Sequence, residues 1–455
     1  MASSTWTRLR AKGAELRTLL SPAMVAILAV YFVQGAIGLA RLATSFFFKD
    51  QLGLSPAEVA ALTGITVLPW TIKPLYGWLS DTLPIAGYRR RSYLVLSGLL
   101  GCGAWLAMAL WVESPLQATV AVLLASLSTA IGDVIVDSLV VERARTQDWG
   151  ATGTLQSLCW GSTALGSLIT AYLGGVLLES YPPQVLFGLT ALLPLASLVA
   201  ALFIQELPQA GILSGVALPQ QLQQIWAAVR EPSLYLPVLF IFLWQSTPTA
   251  ESAFFYFVTN DLGFSPAFLG EIRLATSVAS LVGVVVFQSF FRYLSLRPLL
   301  GWITVITSGL GMTNLILVYH LNRSWGVDDR WFSLGDSVIL TVAGQLAYMP
   351  ILVLAARLCP PGIEATLFAL LMSVINLASF LSHELGGVLM QWLGVTETNF
   401  KALGLLVVIT NLSTLMPLPF LRWLPAQSGS DPDSGAAPSP PVVVKGEDHY
   451  PVEAG

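Results

Sequence analysis

The sequence predicts an all-α integral membrane protein of about twelve transmembrane helices, arranged as two pseudo-symmetric six-helix bundles. Of its 455 residues, 55% are hydrophobic and only 11% are charged, and the mean hydropathy is +0.72. A typical soluble domain has roughly 25% charged residues. The net charge of −4 is small, which argues against a nucleic-acid partner. We therefore expect the lipid bilayer to be the solvent for most of the chain.

Twelve apolar runs approach the length of about 20 residues that a bilayer-spanning helix needs. We number them spans 1 to 12; they lie near 22–48, 57–79, 92–112, 116–141, 152–178, 184–204, 234–258, 267–290, 298–320, 336–357, 364–392 and 400–421. This predicts bundles over 22–204 and 234–421, joined by a linker over 205–233. Residues 1–21 form a predicted cytoplasmic lead-in. Residues 422–455, rich in Pro, Gly and Ser, form a predicted disordered cytoplasmic tail.

Basic residues are distributed unequally between the two sides of these spans. Of the 22 Lys and Arg residues, 15 fall in loops and ends on the side of the N-terminus, and four fall on the opposite side. Because cytoplasmic loops carry the excess of Lys and Arg, both termini are predicted to be cytoplasmic. The short N-terminal segment favours a bacterial inner membrane over a plastid membrane.

An internal repeat relates the two halves. Residues 51–56 (QLGLSP) resemble residues 261–266 (DLGFSP), and each string follows an aromatic helix end. The offset of 210 residues corresponds to six helices with their loops. An even number of helices per repeat gives a parallel repeat, as in the major facilitator superfamily.

Charged residues inside spans are expensive in hydrocarbon and mark candidate functional positions. Arg41 in span 1 and Glu251 in span 7 are separated by the repeat offset, so opposite charges occupy equivalent positions. They are candidates to pair with each other or to hold a zwitterionic or anionic substrate. A fixed structural ion pair is the alternative. Arg273, near the outer end of span 8, is expected to extend towards the membrane surface.

Two carboxylates in span 4 form a second candidate site. Asp133 and Asp137 are four residues apart, so they share one helix face and suit proton coupling. Lys73, just before Pro74 in span 2, is expected either to contact an anionic substrate or to hold one of these carboxylates. Pairing of Asp133 and Asp137 with nearby basic residues is the purely structural alternative.

The loop between spans 2 and 3 resembles a gating motif. It reads Gly77-Trp78-Leu79-Ser80-Asp81, followed after a short insertion by Gly87-Tyr88-Arg89-Arg90-Arg91. Gly77 permits close helix packing, and Asp81 is placed to bind a cation or cap a helix. The alternative is that Arg89, Arg90 and Arg91 only anchor the loop at anionic lipid.

Amide and aromatic side chains within the spans are candidates to hold a flat heteroaromatic ring, with helix packing as the alternative. They are Gln34, Gln156, Trp160, Gln245 and Asn376. His383-Glu384 in span 11 is a second candidate proton site. The sequence has three histidines and no metal-binding, P-loop or nucleophile motif, so we expect no enzyme activity, metal or cofactor.

Several unusual strings lie in separate spans and are typical of one family. They are residues 73–81, 87–93, 133–138, 141–145, 155–157, 160–162, 244–248, 255–257 and 274–277. Through them, over roughly residues 25–420, the chain resembles the folate-biopterin transporters of the major facilitator superfamily. The resemblance implies that it carries folates and related pterins. A pterin ring would stack on Trp160 or Tyr256, and a glutamate tail would meet Arg41 or Lys73.

Together these patterns predict a monomeric, proton-linked carrier that works by alternating access, and the family resemblance implies that folate or pterin is its substrate. Arg41, Lys73, Asp133, Asp137 and Glu251 are its predicted charged working residues. Two alternatives stay open at this point: a carrier of another organic anion or drug, and a membrane assembly factor that retains the carrier fold without transporting.

Overall fold

The computed structural model describes residues 22–144, 149–204, 206, 208, 230–291, 294–358 and 364–425. These residues form helices joined by short turns, as predicted. Ten helical stretches among them are long and apolar enough to cross a membrane. Seven spans contain one long α-helix each: Arg91–Leu110, Pro115–Ala144, Trp149–Ser180, Pro183–Leu202, Pro266–Val286, Asp329–Arg357 and Glu364–Leu393.

The other five spans are each built from two helical segments. Their bounds are Pro22–Ala36 with Leu39–Phe46 in span 1, Pro56–Thr71 with Lys73–Thr82 in span 2, Pro232–Gln245 with Glu251–Tyr256 in span 7, Leu296–Gly311 with Asn314–Val318 in span 9, and Leu403–Ser413 with the 3₁₀ turn Leu418–Trp423 in span 12. Spans 2 and 7 are the two predicted spans absent from the ten long stretches. The count of twelve therefore stays a prediction.

Prolines explain the interruptions of spans 2 and 7. Pro74 follows the break in span 2, and Pro248 lies inside the break in span 7. Proline has no N–H, so it cannot continue the helical hydrogen-bond ladder. In span 7 the freed main-chain groups bind span 11 instead. The Ser382 hydroxyl donates to the Thr247 carbonyl, and the Thr249 N–H donates to the Ser382 carbonyl at 3.3 Å.

The internal repeat is reproduced in local structure. Phe47–Gln51 and Phe257–Asp261 each form a π-helical turn at the end of spans 1 and 7. Each turn leads to a glycine with positive φ, 62° at Gly53 and 65° at Gly263, a conformation that glycine adopts without strain. The next helix then begins with a serine N-cap, Ser55 or Ser265.

Within the described ranges, the hydrophobic core joins the two halves at one end only. One cluster combines residues of both halves around Phe47, Tyr256 and Phe257. At the opposite end the core divides. One cluster around Ile27 and Leu94 comes from the N-terminal half, and two others come from the C-terminal half. We call these the joined end and the divided end.

Small residues bring the halves together at the joined end. A Cβ atom on Gly175 in span 5 would lie 2.6 Å from the Cα atom of Gly270 in span 8, so the two backbones touch. The Tyr256 hydroxyl donates to the Leu54 carbonyl across the two halves. The Lys49 ammonium donates to Asn260 Oδ1 at 2.8 Å.

Other boundaries lie beyond the described part of the chain. Residues 1–21, most of the predicted linker over 205–233 and the tail after residue 425 are not described. The domain bounds therefore stay predictions.

Close backbone packing of spans 1 and 5 generates a stability prediction. A Cβ atom on Gly166 would lie 2.3 Å from the Phe32 carbonyl oxygen. Gly166→Ala should therefore destabilise the protein by about 1–3 kcal/mol, because the helices must move apart. The measurement is the thermal unfolding temperature in detergent. Gly161→Ala in the same helix is the control, since a Cβ there meets no atom within 4 Å. Equal effects of the two variants would contradict the packing explanation.

Candidate functional site

Spans 1 and 7 are broken at equivalent places, and each break precedes a charged residue. Span 1 is interrupted at Ile37 and Gly38, and span 7 is interrupted over residues 246–250. Arg41 lies in the first turn of the second segment of span 1, and Glu251 begins the second segment of span 7. The repeat thus places both charges just beyond a helix break.

Arg41 and Glu251 are both exposed although their neighbours are buried. Ala40 and Leu42 pack into the joined-end cluster, as does Ala253 beside Glu251. The two charged side chains therefore extend away from the core that seals the joined end. They form no ion pair with each other among the described residues, so this conformation does not contain the predicted pair.

Two further groups face Arg41 and Glu251. Arg273 in span 8 and His383 in span 11 each lie within electrostatic range of both. The four side chains come from spans 1, 7, 8 and 11, so the cluster is shared between the halves. Arg273 is partly buried and interacts electrostatically with Arg41 and Glu251, which differs from the expectation that it extends to the membrane surface. We call these four residues the central charge cluster.

Lys73 and Asp133 form an ion pair between spans 2 and 4. Both side chains are largely buried, with exposed fractions of 16% and 15%. The Lys73 ammonium also lies 4.9 Å from the centre of the Trp70 ring, a cation–π contact. Of the two roles left open for Lys73, the structure shows the contact with a carboxylate.

The break in span 2 ties this ion pair to the other half. Pro74 removes the N–H that an unbroken helix would direct at the Trp70 carbonyl. The Asn376 side-chain amide in span 11 donates to that carbonyl instead, at 3.2 Å. Asn376, considered above as a ring-binding amide, therefore connects the two halves beside Lys73.

Asp137 has a different partner from Asp133. It accepts a hydrogen bond from the Tyr31 hydroxyl of span 1. The two carboxylates of span 4 thus have different kinds of partner: Asp133 pairs with a cation, and Asp137 accepts a hydrogen bond from a neutral hydroxyl group.

The gating motif binds together helices of the N-terminal half. Arg90 pairs with Asp81 at 2.7 Å and donates to the Ser80 hydroxyl at 2.7 Å. Gly77 lies close to Val134 of span 4, with 3.6 Å between the Val134 side chain and a Cβ built on the glycine. The motif therefore joins spans 2, 3 and 4 at the divided end.

Glu206 completes this motif, and the sequence did not reveal it. Its carboxylate accepts hydrogen bonds from the main-chain N–H groups of Arg89, Arg90 and Arg91, at 2.6 to 3.1 Å. It thereby caps the start of span 3, where free N–H groups favour an anion. An isolated acidic residue just after span 6 was the one available signal, and its partner lies more than a hundred residues away.

The remaining predicted residues are placed as follows. Trp160 is 67% exposed, and Gln245 is partly buried at the break in span 7. The Gln156 side chain lies outside the described residues. Tyr256 is fully buried in the joined-end cluster with its hydroxyl bonded to Leu54, so the expectation that it stacks on a ring is wrong for this conformation.

His383 and Glu384 lie at the contact between spans 2 and 11. His383 Nδ1 and Glu384 Oε1 are buried without a hydrogen-bond partner among the described residues. A Cβ atom on Gly64 would lie 2.8 Å from Glu384 Oε1, so the carboxyl group packs directly against span 2. No group of three His, Cys, Asp or Glu side chains suited to a metal occurs within the described ranges.

Comparison with known proteins gives matches along most of the chain. A model of the BT1 family matches residues 34–436. A folate-biopterin transporter of Synechocystis sp. is 60% identical over 403 residues, which cover 89% of this chain and 82% of the relative. A probable folate-biopterin transporter 2 of Arabidopsis thaliana is 33% identical, covering 88% of this chain and 82% of the relative. Folate transporter 2 of Plasmodium falciparum is 30% identical, covering 87% of each chain.

Solved structures share the fold at low identity. A D-xylose-proton symporter superimposes with a TM-score of 0.65 at 14% identity, covering 90% of this chain and 99% of the symporter. The nucleoside transporter NupG superimposes with a TM-score of 0.69 at 14% identity, covering 88% and 98% of the two chains. These matches confirm the predicted all-helical transporter fold.

Single and double variants of the Lys73–Asp133 pair test whether it stabilises the protein by charge compensation. Lys73→Met or Asp133→Asn alone should destabilise the protein by about 3–5 kcal/mol, because each leaves a buried charge unpaired. The double variant should recover most of this loss. Folded protein in membranes and thermal unfolding in detergent measure the effect. A double variant as unstable as the singles would show that charge compensation is not the role of the pair.

Proposed function

The chain belongs to the BT1 family, the folate-biopterin transporters of the major facilitator superfamily, and from this premise we propose that it carries folates and related pterins by proton-coupled alternating access. It is a multi-pass membrane transporter rather than an enzyme. Relatives from a cyanobacterium, a plant and a protozoan are named as folate or folate-biopterin transporters, which supports this substrate class.

The central charge cluster is the observation that carries the proposal. It holds two arginines and one glutamate, with a histidine beside them, between the two halves. Neither arginine has an ion-pair partner among the described residues. Uncompensated charge inside a membrane protein is costly and marks a substrate or ion pathway. A folate carries carboxylates on its glutamate tail, and one of them would neutralise the excess positive charge.

The joined and divided ends support alternating access. A core that is continuous at one end and split at the other corresponds to one end state of two bundles that rock about a central site. With the predicted orientation, the divided end faces the cytoplasm, and this conformation is open inward. The opposite state requires the small-residue contact of Gly175 with Gly270 to separate.

We assign the coupled proton to Asp137. Its neighbour Asp133 is already neutralised by Lys73, whereas the bonded partner of Asp137 among the described side chains is the neutral Tyr31 hydroxyl. When rocking removes water from such a carboxylate, protonation costs less free energy than burial of the charge. The gating motif, Asp81 with Arg90, would hold the N-terminal bundle rigid while it moves.

The setting of the protein is also a proposal. The excess of basic residues in predicted inner loops supports cytoplasmic termini. The cyanobacterial relative supports a bacterial inner membrane. We propose that the transporter acts as a monomer, since each chain contains both halves of the central site.

Uptake of labelled folate by a folate-auxotrophic bacterium expressing this chain tests the substrate and the site. Wild-type protein should give saturable uptake. Arg41→Gln should lower it about tenfold or more, because a charged contact to the substrate carboxylate is lost. Glu251→Gln should also lower it, because the two arginines then repel each other without a compensating carboxylate. Lys401→Gln, which removes an exposed charge, is the matched control. Full uptake by both cluster variants would remove the cluster from the mechanism.

The pH dependence of the same uptake tests the proton site. Wild-type uptake should be faster at acid than at neutral outside pH, because Asp137 must be protonated before the carrier can change conformation. Asp137→Asn imitates the protonated carboxyl group, so it should abolish the pH dependence while exchange of folate across the membrane continues. Asp50→Asn, at an exposed carboxylate beside Lys49, should behave as wild type. Acid stimulation that persists in Asp137→Asn would exclude this assignment.

A further inference from the structure

Arg273 is the member of the central charge cluster whose position the sequence did not anticipate. It lies in span 8, one helical turn after Gly270, where that glycine contacts span 5. Its main-chain carbonyl accepts hydrogen bonds from the hydroxyl groups of Thr276, at 3.1 Å, and Ser277, at 2.7 Å. Its guanidinium group has no hydrogen bond or ion pair among the described residues. The main-chain carbonyl of Arg273 thus has its hydrogen bonds within the same helix, and the guanidinium group remains available to bind a ligand.

The position of Arg273 opposite Arg41 is unfavourable without a third partner. Arg41 follows Leu39, whose carbonyl oxygen would lie 3.2 Å from a Cβ atom on Gly174, and Arg273 follows Gly270, which touches Gly175. The two helices, from different halves, therefore meet the same turn of span 5, and the two guanidinium groups repel each other. Among the described side chains, Glu251 is the carboxylate that acts on Arg273, and it offsets one of the two positive charges. With His383 neutral, one positive charge remains. Like charges that share a site repel, so a bound anion between them stabilises the arrangement.

We propose that Arg273 and Arg41 together bind a carboxylate of the substrate, and that Arg273 determines whether the carrier prefers carboxylate-bearing folates over carboxylate-free pterins. The inference rests on the proposed function. Guanidinium groups present paired N–H donors that match the two oxygens of a carboxylate. One carboxylate between two guanidinium groups neutralises the excess charge. A pterin without a glutamate tail, such as biopterin, offers no such group and gains nothing from Arg273.

The two arginines also make the affinity for the carboxylate depend on the conformation of the carrier. Arg41 belongs to the N-terminal half and Arg273 to the C-terminal half. A carboxylate bound by both would bridge the halves beside the joined end. Rocking that separates this end would move the two guanidinium groups apart and lower the affinity for the anion. A neutral pterin would not sense that change through these residues.

The experiment compares folate with biopterin in the same cells. Concentration-dependent uptake of each labelled compound is measured for wild type, Arg273→Gln and Arg273→Lys, with the amount of protein in the membrane quantified. We expect Arg273→Gln to raise the KM for folate about tenfold or more and to change biopterin uptake less than about twofold. Arg273→Lys keeps the charge but loses the fork-shaped donor pair, so its KM for folate should be intermediate.

Arg330→Gln is the matched control, because Arg330 is another arginine at the joined end, 5.5 Å from the centre of the Phe268 ring of span 8. It should leave both substrates unchanged. Equal loss of folate and biopterin uptake in Arg273→Gln, or unchanged folate kinetics, would overturn the proposal while leaving the transport function intact. A wild-type protein that takes up neither compound would instead overturn the proposed function and this inference with it.

Discussion

Every main-chain polar group in hydrocarbon needs a hydrogen-bond partner, and the broken helices of this protein depend on that requirement. Pro74 frees the Trp70 carbonyl, which accepts from Asn376. The break in span 7 is completed by Ser382, which donates to Thr247 and accepts from Thr249. Both partners lie on span 11. One continuous helix therefore completes a broken helix in each half, and the charged residues beside those breaks take their positions from it.

Charged side chains, like main-chain polar groups, are held by specific partners. Lys73 and Asp133 neutralise each other between spans 2 and 4, and Asp137 is held by a hydroxyl group. Glu206 is held by three main-chain N–H groups at the end of the same bundle. In the central charge cluster, by contrast, two arginines share one carboxylate among the described residues. A binding site is thus distinguished from structural ion pairs by incomplete compensation rather than by the presence of charge.

Local patterns predicted much of this architecture because they depend on neighbours in the sequence. The repeat of residues 51–56 at 261–266 predicted two equivalent corners, and the structure shows the same π-helical turns, positive-φ glycines and serine caps. Arg273, Asn376 and Glu206 could not be assigned because their partners lie on distant helices. Counting residues from the end of span 8 gave the depth of Arg273 but not the helix face it occupies. The interruptions in spans 2 and 7 were not predicted because spans were assigned from the length of apolar runs, although Lys73-Pro74 and residues 246–250 (STPTA) mark the breaks in the sequence.

The hydrogen bond from Tyr256 to the Leu54 carbonyl breaks the symmetry of the joined end. By the repeat offset the counterpart of Tyr256 is Phe46, which has no hydroxyl group and instead packs edge-on against Phe255 at 5.3 Å. The apolar seal is thus nearly two-fold, but its polar contacts are not: the Tyr256 corner is held by a buried hydroxyl, and the Phe46 corner by Lys49, which donates to Asn260. The two corners, which are alike in sequence, are therefore held by different interactions. Separation of the two halves at the joined end costs a different amount of free energy at each corner.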